Sequence, residues 1–329
     1  MYRGKTVAVV IPAYNEEGLV GAVIDSIPAY VDRVYVVDDC STDSTWKEIN
    51  DRVEGVDEQR LTAKTDGGRL TSRVVPIRHE TNQGVGAAIK TGYQRALTDG
   101  MDVTAVINGD GQMDPDILDR FIEPIVEGNA EYTKGNRLRS SELRSEMSTW
   151  RFTGNAILTF LTKISSGYWK MTDPQNGYTA ISLEALEAID LDSLYDRYGF
   201  LNDLLVSLNA HGYRVADIPM KAVYGDEESG IRYSSFVPGL SLLLFQDFLW
   251  RLKYKYFVTD FHPLVLFYVL GTLGTLLGVG YGIWGVVVDS SLIAGGLALL
   301  IVLFSTTLVL FAMVFDMQHN EHLEYKVSF

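Results

Sequence analysis

The chain has 329 residues, enough for one large or two modest domains. Hydrophobic residues make up 47% of it, and 42 acidic against 28 basic residues give a formal net charge of −14 at pH 7. An acidic chain argues against a nucleic-acid partner, and the single cysteine, Cys40, excludes an internal disulfide and a cysteine-rich zinc site. Most of the excess negative charge lies before residue 236, where we expect it chiefly to keep the surface soluble in a salty cytoplasm.

Strands and helices are predicted to alternate over the first 126 residues. Apolar, β-rich runs predict strands over 5–11, 33–37, 73–77 and 103–107, and helices are predicted over 16–27, from 41 or 42 through 49, over 87–98 and over 115–126. This alternation is typical of an α/β fold with a doubly wound, mostly parallel sheet. Each strand ends in a polar or glycine-rich turn, and we expect these turns to meet at the sheet edge where such folds bind ligands.

The turn after the fourth predicted strand is the strongest candidate for chemistry. Its sequence is Asn-Gly-Asp-Gly-Gln, residues 108–112, and the glycines let the backbone approach a ligand closely. Mg²⁺ and Mn²⁺ take oxygen ligands and are held with substrate phosphates by one or two carboxylates. We therefore expect Asp110 to hold such an ion on the phosphates of a ligand, with Gln112 a weaker candidate ligand. Asp114 is weaker still and is also suited to cap the next helix; a strand-end aspartate without a ligand is the alternative for Asp110.

The pattern becomes less regular from residue 130. Strands are predicted over 131–135, 178–181 and 213–218, helices over 150–164 and 200–210, a polar loop over 137–148 and a turn over 173–177.

Two long apolar runs, residues 264–288 and 292–315, contain no Lys or Arg and are separated by three residues. Each is long enough to span a bilayer. They predict a tight transmembrane hairpin with both ends on one side, and buried core helices are the alternative.

The segment before the hairpin, residues 236–261, predicts an interfacial amphipathic helix. Its apolar residues at helical spacing are Leu240, Leu244, Phe248 and Leu252. The basic residues that follow, Arg251, Lys253 and Lys255, mark the cytoplasmic side by the positive-inside rule.

These features predict four domains: a cytoplasmic catalytic domain over 1–235, amphipathic juxtamembrane helices over 236–262, the transmembrane hairpin over 263–316 and a cytoplasmic tail over 317–329. The N-terminus has no apolar signal run, so we expect a mature, non-secreted protein in the cell membrane.

Three motifs carry a family resemblance: Pro-Ala-Tyr-Asn-Glu at 12–16, Asp-Asp-Cys-Ser-Thr-Asp at 38–43, and the Asp110 turn at 108–112. With them the chain resembles family-2 glycosyltransferases of the GT-A fold, and more narrowly the polyprenyl-phosphate and dolichyl-phosphate sugar synthases, which make mannose or glucose derivatives. The resemblance covers roughly residues 5–230, and the two-helix hairpin recurs in one branch of that group. It implies inverting, metal-dependent transfer of a hexose from a nucleotide sugar to dolichyl or polyprenyl phosphate at a lipid bilayer.

The resemblance also implies roles for particular residues on the donor side. The implied nucleotide-binding residues are Pro12, Tyr14, Glu16, Asp39, Lys90 and Asn108, with Lys90 near a phosphate. An ordinary helix N-terminus is the alternative for Tyr14 and Glu16, and a solvated helix lysine for Lys90. Two positions depart from the family pattern, because Cys40 replaces a usual glycine and Asn108 replaces a usual aspartate.

On the acceptor side, Arg137 is implied to clamp the lipid phosphate, with Arg139, Arg144 and Arg232 as further candidates. The solvated surface is the alternative for Arg139 and Arg144, and a simple linker for Arg232. A phosphate monoester is dianionic above a second pKa of about 6, so no strong general base is expected. Residues near the reacting sugar are implied to be Asp173, Gln175 and Asn176, and Asp203 to contact the sugar or assist proton transfer.

Three rival functions were weighed against the lipid-phosphate synthase. A processive polysaccharide synthase is disfavoured, because the Gln-x-x-Arg-Trp motif is missing and two helices cannot line a channel. A catalytically weakened nucleotide-binding module has only Asn108 in its support. A nicotinamide-linked oxidoreductase is disfavoured because no Gly-x-Gly-x-x-Gly follows the first strand. On resemblance the donor is UDP-glucose first and GDP-mannose second, and a homo-oligomer stays open.

Overall fold

The structure, a computed structural model, describes residues 1–61, 72–137, 149–221, 233–289 and 292–327. Its strands are β1 (Val7–Ala13), β2 (Arg33–Asp38), β3 (Val74–Arg78), β4 (Val103–Val106), β5 (Tyr132–Asn136), β6 (Thr179–Ser182), β7 (Val215–Pro219) and β8 (Glu324–Tyr325). They form one sheet in the order β3-β2-β1-β4-β6-β5-β7-β8. Only β6 runs antiparallel to its described neighbours, so the sheet is mostly parallel as predicted.

Helices cover both faces of this sheet. In chain order, the described helices are α1 (Val20–Ser26), α2 (Thr45–Leu61), α3 (Val85–Thr98), α4 (Leu118–Val126), α5 (Thr149–Ser166), α6 (Leu183–Ala188), α7 (Phe200–Ala210), α8 (Tyr233–Lys253), α9 (Leu264–Trp284) and α10 (Leu292–Asn320). Those packed on the sheet include α1 and α4 on one face and α3 and α7 on the other. The apolar residues of β1 alternate between two cores: Val7 and Val9 pack with α1 and α4, whereas Ala8 and Val10 pack with α3 and α7. Parallel strands buried on both faces are the hallmark of a doubly wound sheet, and the predicted fold class is confirmed.

The chain after α10 returns to the sheet. Strand β8 pairs in parallel with β7, with Glu324 opposite Val215 and Tyr325 opposite Ala216. The residues expected to form a tail, 317–329, therefore include the edge strand of the sheet. A two-residue strand carries no periodic signal, and the sequence pattern missed it for that reason.

Two helices are long and apolar enough to cross a membrane by length and composition: Leu264–Val288, with mean hydropathy 1.8, and Ile293–Leu323, with mean hydropathy 2.7. Only 22% and 17% of their most apolar windows are buried, which argues against the alternative of buried core helices. The two helices pack through small residues, since a Cβ added at Gly271 or Gly278 would come within 2.8 Å of α10 atoms. Close packing through glycine is typical of membrane helices.

Helix α8 forms as predicted, but its predicted apolar face lies against protein. Leu240 and Leu244 are buried with Leu158 of α5, and Leu252 is buried in the cluster that includes residues of α9 and α10. The outward apolar side chains are instead Leu242, Phe245, Leu249 and Trp250. The spacing argument chose the wrong face because α8 is apolar nearly all round, and the face that protein covers is not marked in such a pattern.

The basic cluster at the end of α8 also differs from its predicted headgroup position. Arg251 is fully buried in an ion pair with Asp316, and the Lys255 ammonium donates hydrogen bonds to Asn209 and Asn320. Burial, together with the adjacent guanidinium of Arg251, lowers the pKa of Lys255 to about 7. Lys253 is the exposed member, so the charge argument for orientation depends on fewer cations than predicted.

Candidate active site

The loops after β1, β2 and β4 lie side by side at the carboxyl edge of the sheet. The carbonyl oxygen of Pro12 accepts a hydrogen bond from the Gly109 N–H at 3.2 Å, and that of Ala13 accepts one from the Asp39 N–H at 2.9 Å. A Cβ added at Gly109 would lie 3.3 Å from the Ala13 Cβ, so little room is left for a side chain there. The structure thus brings the three sequence motifs together where open α/β sheets bind ligands.

Asp110 stands half-buried at this edge, with its Oδ1 accepting the Gln112 N–H at 2.9 Å. The amide of Asn108 lies against Gly177, where an added Cβ would be 3.3 Å from both amide heavy atoms. One carboxylate and two side-chain amides supply hard oxygen donors, which suit Mg²⁺ or Mn²⁺. Among the described residues no three His, Cys, Asp or Glu side chains form a metal cluster. The residues therefore fit an ion held mainly by substrate phosphates and by one carboxylate.

The loop after β1 is tied to the start of α2. Asn15 has a left-handed backbone with φ +56°, and its Oδ1 accepts the Thr42 N–H at 2.9 Å. The Glu16 N–H donates to the Thr45 Oγ1 at 2.7 Å. These bonds hold a loop in which Tyr14 is 45% exposed, and its contact with a nucleobase stays a prediction.

Asp39 is buried and supports the loop before α3. Its Oδ1 accepts the Gln83 N–H at 2.9 Å and lies 2.7 Å from the His79 Nδ1, while its Oδ2 accepts the Gly84 N–H at 2.7 Å. Gly84 has φ +102°, a conformation that glycine adopts without strain. The structure gives Asp39 this supporting position, and its contact with a nucleoside stays a prediction.

Cys40 occupies a left-handed conformation with φ +63°, the physical reason for a usual glycine there. We expect Cys40→Gly to change the free energy of unfolding by less than about 1 kcal/mol, because relief of strain is offset by the entropy of glycine. Cys40→Val is expected to destabilise by about 1–2 kcal/mol, since a β-branched side chain fits this region poorly. Thermal unfolding of both variants measures this, and an equally stable valine variant would contradict the strain.

Lys90 and Asp203 both contact the chain segment before α7. The Lys90 ammonium donates to the Leu194 carbonyl at 2.8 Å and forms an ion pair with Asp196 at 2.6 Å. The Asp203 Oδ2 accepts the Tyr195 N–H at 2.8 Å. Burial raises the pKa of Asp203, against the opposing effects of that hydrogen bond and of Lys90. A phosphate contact by Lys90 would therefore compete with an existing ion pair.

A second buried acid, Asp247, lies on α8 near Asp203, and the charge of Asp203 affects the pKa of Asp247. Its Oδ2 has no hydrogen-bond partner among the described residues. Burial, with a smaller contribution from Asp203, raises the pKa of Asp247 to about 8. The sequence offered one signal for this position, a single acid inside an otherwise apolar helix.

Because the folded-state pKa of Asp247 lies above its unfolded value, the folded protein binds the extra proton between about pH 4 and 8. Its contribution to stability is expected to fall as pH rises through that window. Asp247→Asn should be more stable than the parent at pH 8.5, by about 1–3 kcal/mol, and similar at pH 5. Thermal unfolding at both pH values checks this, with exposed Asp260→Asn as the control. A pH-independent difference would contradict the buried-acid assignment.

Arg137 at the end of β5 is held by Asp173 in a two-pronged ion pair. Its Nε and Nη2 lie 2.8 and 2.9 Å from the Asp173 carboxylate oxygens, which also accept the Arg137 N–H at 3.1 Å. Burial opposes ionisation of Asp173, but the hydrogen bonds and charge of Arg137 outweigh it and hold the pKa of Asp173 below its usual value. The guanidinium has five N–H donors, and Asp173 orients it while engaging two of them.

A polar layer that the sequence analysis missed lies beneath this pair. The Lys134 ammonium forms an ion pair with Asp217 at 2.9 Å and donates to the Asp173 carbonyl at 3.1 Å. The other Asp217 oxygen accepts the Thr172 N–H and the Asn136 amide. Lys134 is 1% exposed, and a charged residue inside a predicted strand was the one available signal.

The turn between Asp173 and β6 connects the Arg137–Asp173 pair to the Asp110 loop, because Gly177 lies against Asn108. Asn176 is buried; its Nδ2 donates to the Asp173 Oδ2 at 3.2 Å and its Oδ1 accepts the Tyr178 N–H at 3.0 Å. Gln175 is half-buried in the same turn. The roles of Gln175 and Asn176 toward a sugar stay predictions. Three predicted phosphate ligands lie outside the described residues: Arg139, Arg144 and Arg232.

The comparison with known families decides the class of protein. The family described as glycosyl transferase family 2 matches residues 8–190, which includes every strand that forms the Asp110 edge. The chain belongs to glycosyltransferase family 2. The matched region covers more than half of this transferase. The predicted enzyme class, a glycosyltransferase, is therefore confirmed.

Several curated proteins are similar to this transferase. The UDP-N-acetylglucosamine–dolichyl-phosphate N-acetylglucosaminyltransferase of Methanococcus voltae is 30% identical over 221 residues, covering 67% of this chain and 86% of that protein. The undecaprenyl-phosphate mannosyltransferase of Micrococcus luteus is 26% identical over 66% of this chain and 83% of its own length. The polyprenol monophosphomannose synthase of Mycolicibacterium smegmatis is 27% identical, with coverages of 68% and 78%.

Among solved structures, the transferase is similar to glucosyl-3-phosphoglycerate synthase of Mycobacterium tuberculosis in complex with Mn²⁺, UDP and phosphoglyceric acid. The TM-score is 0.49 at 21% identity, and the match covers 75% of this chain and 78% of that one.

Proposed function

We propose that the protein transfers one hexose from a nucleotide diphosphate sugar to a polyprenyl or dolichyl phosphate at a membrane surface. The observation that carries this proposal is the combination, in one chain, of the Asp110 edge with a two-helix apolar hairpin whose far end returns to the same sheet. The family-2 match supports sugar transfer, and the names of three similar proteins support a lipid-phosphate acceptor.

The chain's own residues suggest how the donor is bound. Tyr14 would stack on the base, and Asn108 and Gln112 would stand beside Asp110 around the diphosphate. A bound Mg²⁺ or Mn²⁺ would stabilise negative charge on the departing diphosphate. Asp110 would hold that ion, while its hydrogen bond from the Gln112 N–H fixes the direction of the carboxylate.

The acceptor side needs positioning more than it needs a base. A phosphate monoester is already dianionic near neutral pH, with a second pKa of about 6, so its oxygen can attack the anomeric carbon directly. Arg137, oriented by Asp173, would bind that phosphate and align it with the sugar. The ionised Asp173 neutralises part of the positive charge of Arg137. We therefore propose that Arg139, Arg144 and Arg232 also help to bind the phosphate.

We place the bilayer around α9 and α10. Both ends of this hairpin meet the catalytic domain, through α8 before it and β8 after it, so that domain lies on one side of the membrane. The outward apolar residues of α8 would rest in the interface. We propose the cytoplasmic side by the positive-inside rule, on Lys253, the member of the basic cluster that stays exposed beside the hairpin.

The donor is open to direct test. Membranes containing the protein are incubated with polyprenyl phosphate, Mg²⁺ or Mn²⁺ and labelled UDP-glucose, UDP-N-acetylglucosamine or GDP-mannose. We expect one UDP-sugar to label a chloroform-soluble lipid, and chelation to abolish the labelling. If no lipid is labelled from any donor, the protein is not a lipid-phosphate transferase. If labelling survives thorough chelation, the proposed metal requirement is wrong.

A further inference from the structure

The loop that delivers Asp173, residues 167–172, is held from outside the family-2 region. It begins at Gly167, immediately after α5, and it ends where Asp173 meets Arg137. Its inner side is fixed by Asp217 and Lys134, as described above. Its outer side meets the segment at and beyond the end of α10.

One carboxylate beyond the hairpin accepts three consecutive backbone N–H groups of this loop. The Glu324 Oε1 accepts the Trp169 N–H at 3.0 Å, and its Oε2 accepts the N–H groups of Lys170 at 2.6 Å and Met171 at 3.0 Å. Glu324 lies in β8, whose pairing with β7 fixes its backbone. Three converging donors on one anion form a strong, directional contact.

A second contact joins the same loop to α10 itself. The indole Nε1 of Trp169 donates to the Asp316 Oδ2 at 3.2 Å, and Asp316 is fully buried. An ion pair between Lys170 and Glu321 at 2.7 Å lies on the surface, with side chains 40% and 63% exposed. Exposed pairs of this kind contribute little, so the loop depends mainly on Glu324.

The space beneath the loop makes these bonds more important. A partly open pocket of about 410 Å³ is lined both by residues of the loop, including Lys170 and Thr172, and by Tyr325 and Lys326 at the end of β8. A backbone segment that borders a cavity has fewer packed atoms to hold it. The position of the loop is then set mainly by its hydrogen bonds.

We propose that Glu324 is a positioning residue for sugar transfer: by holding the Trp169, Lys170 and Met171 N–H groups, it sets the place of Asp173 and so of the Arg137 guanidinium. This inference depends on the proposed function, since it assigns the loop to the acceptor phosphate. It makes the segment after the membrane hairpin part of the acceptor site. The hairpin thereby anchors the protein and completes the site on the same polypeptide.

The test uses the full-length protein in lipid vesicles with Glu324→Gln and the matched control Glu321→Gln from the same segment. Backbone hydrogen exchange is followed at residues 169–171, and KM and kcat are measured separately for nucleotide sugar and for polyprenyl phosphate. For Glu324→Gln we expect at least tenfold faster exchange and at least a tenfold lower kcat/KM for the lipid phosphate. The nucleotide-sugar KM should stay within twofold, and Glu321→Gln should match the parent in kinetics.

Trp169→Phe, which removes the indole hydrogen bond to Asp316 and leaves the backbone bonds to Glu324 in place, provides a milder second variant. It should shift the acceptor kinetics in the same direction and keeps the test valid if Glu324→Gln fails to fold. Unchanged exchange at 169–171 would overturn the proposal, and so would faster exchange with normal acceptor kinetics or an equal loss in both substrates. A parent protein that is inactive toward lipid phosphate, with Glu324-dependent exchange intact, would instead identify the proposed function as the point of failure.

Discussion

Asp110→Asn is expected to lower kcat/KM for sugar transfer by at least ~10²-fold, about 2.7 kcal/mol of transition-state stabilisation. The substitution keeps the size of the side chain and leaves an oxygen to accept the Gln112 N–H. It removes the carboxylate that we propose holds a divalent ion at the sheet edge. Because Asn108 is already neutral, a second asparagine would leave the ion with amide oxygens and phosphates alone.

The control for this variant lies in the same loop. Asp114 is exposed, and its Oδ1 caps the following turn by accepting the Asp116 N–H at 2.9 Å. Asp114→Asn should therefore retain near-parental activity with at most a small loss of stability. The activity of Asp110→Asn should also depend less on added Mg²⁺ or Mn²⁺ than the activity of the parent protein does. If Asp110→Asn and the parent protein are equally active at saturating Mg²⁺ or Mn²⁺, the assignment of Asp110 as the metal ligand is wrong.

The second large effect is expected at the buried ion pair between α8 and α10. The Arg251 Nη1 and Nη2 lie 2.9 and 3.0 Å from the two Asp316 oxygens, and both side chains are fully buried. Arg251 also donates to the Ser165 and Ile164 carbonyls of α5. Burial opposes its charge, but the charge of Asp316 and its hydrogen bonds outweigh that effect and raise the pKa of Arg251. This pair therefore joins the apolar α9–α10 hairpin to α8 and α5.

Removing one partner leaves a buried, uncompensated charge, which costs about 3–5 kcal/mol. Arg251→Met and Asp316→Leu should each lower the thermal stability of the detergent-solubilised protein by that amount. The double variant should be more stable than either single variant, because no charge is then left unpaired. Exposed Lys253→Met is the control, with an expected change within about 0.5 kcal/mol. Additive losses in the double variant would contradict direct pairing.

The sequence predicted the α/β fold well where periodic runs were long. Helix α7 has its predicted bounds, Phe200–Ala210, and strands β1 to β4 lie within two residues of prediction. These segments carry strong apolar periodicity and clear turn residues. Helix α6 and strand β8 were missed, since elements of six and two residues give too few periods to recognise.

The sequence motifs predicted which loops meet at the sheet edge, but not which side chains pair with one another. Motif residues such as Pro12 and Asp110 do meet at one edge, but nothing in the sequence revealed that Asp173 would pair with Arg137, or that Lys90 would pair with Asp196. Pairing partners far apart in sequence depend on tertiary packing. Arg251 shows the same limit of sequence analysis. A basic residue beside a long apolar run suggests a contact with lipid headgroups, and only the structure shows that Arg251 pairs with Asp316.

The measurement that tests the central claim most directly uses the purified protein in lipid vesicles with labelled UDP-sugar and divalent cation. Polyprenyl phosphate is compared with polyprenol of the same length, which offers a hydroxyl in place of the phosphate. We predict that label enters the chloroform-soluble fraction only with polyprenyl phosphate. Absence of labelled lipid with every nucleotide sugar, or equal labelling of polyprenol, would contradict transfer to a lipid phosphate.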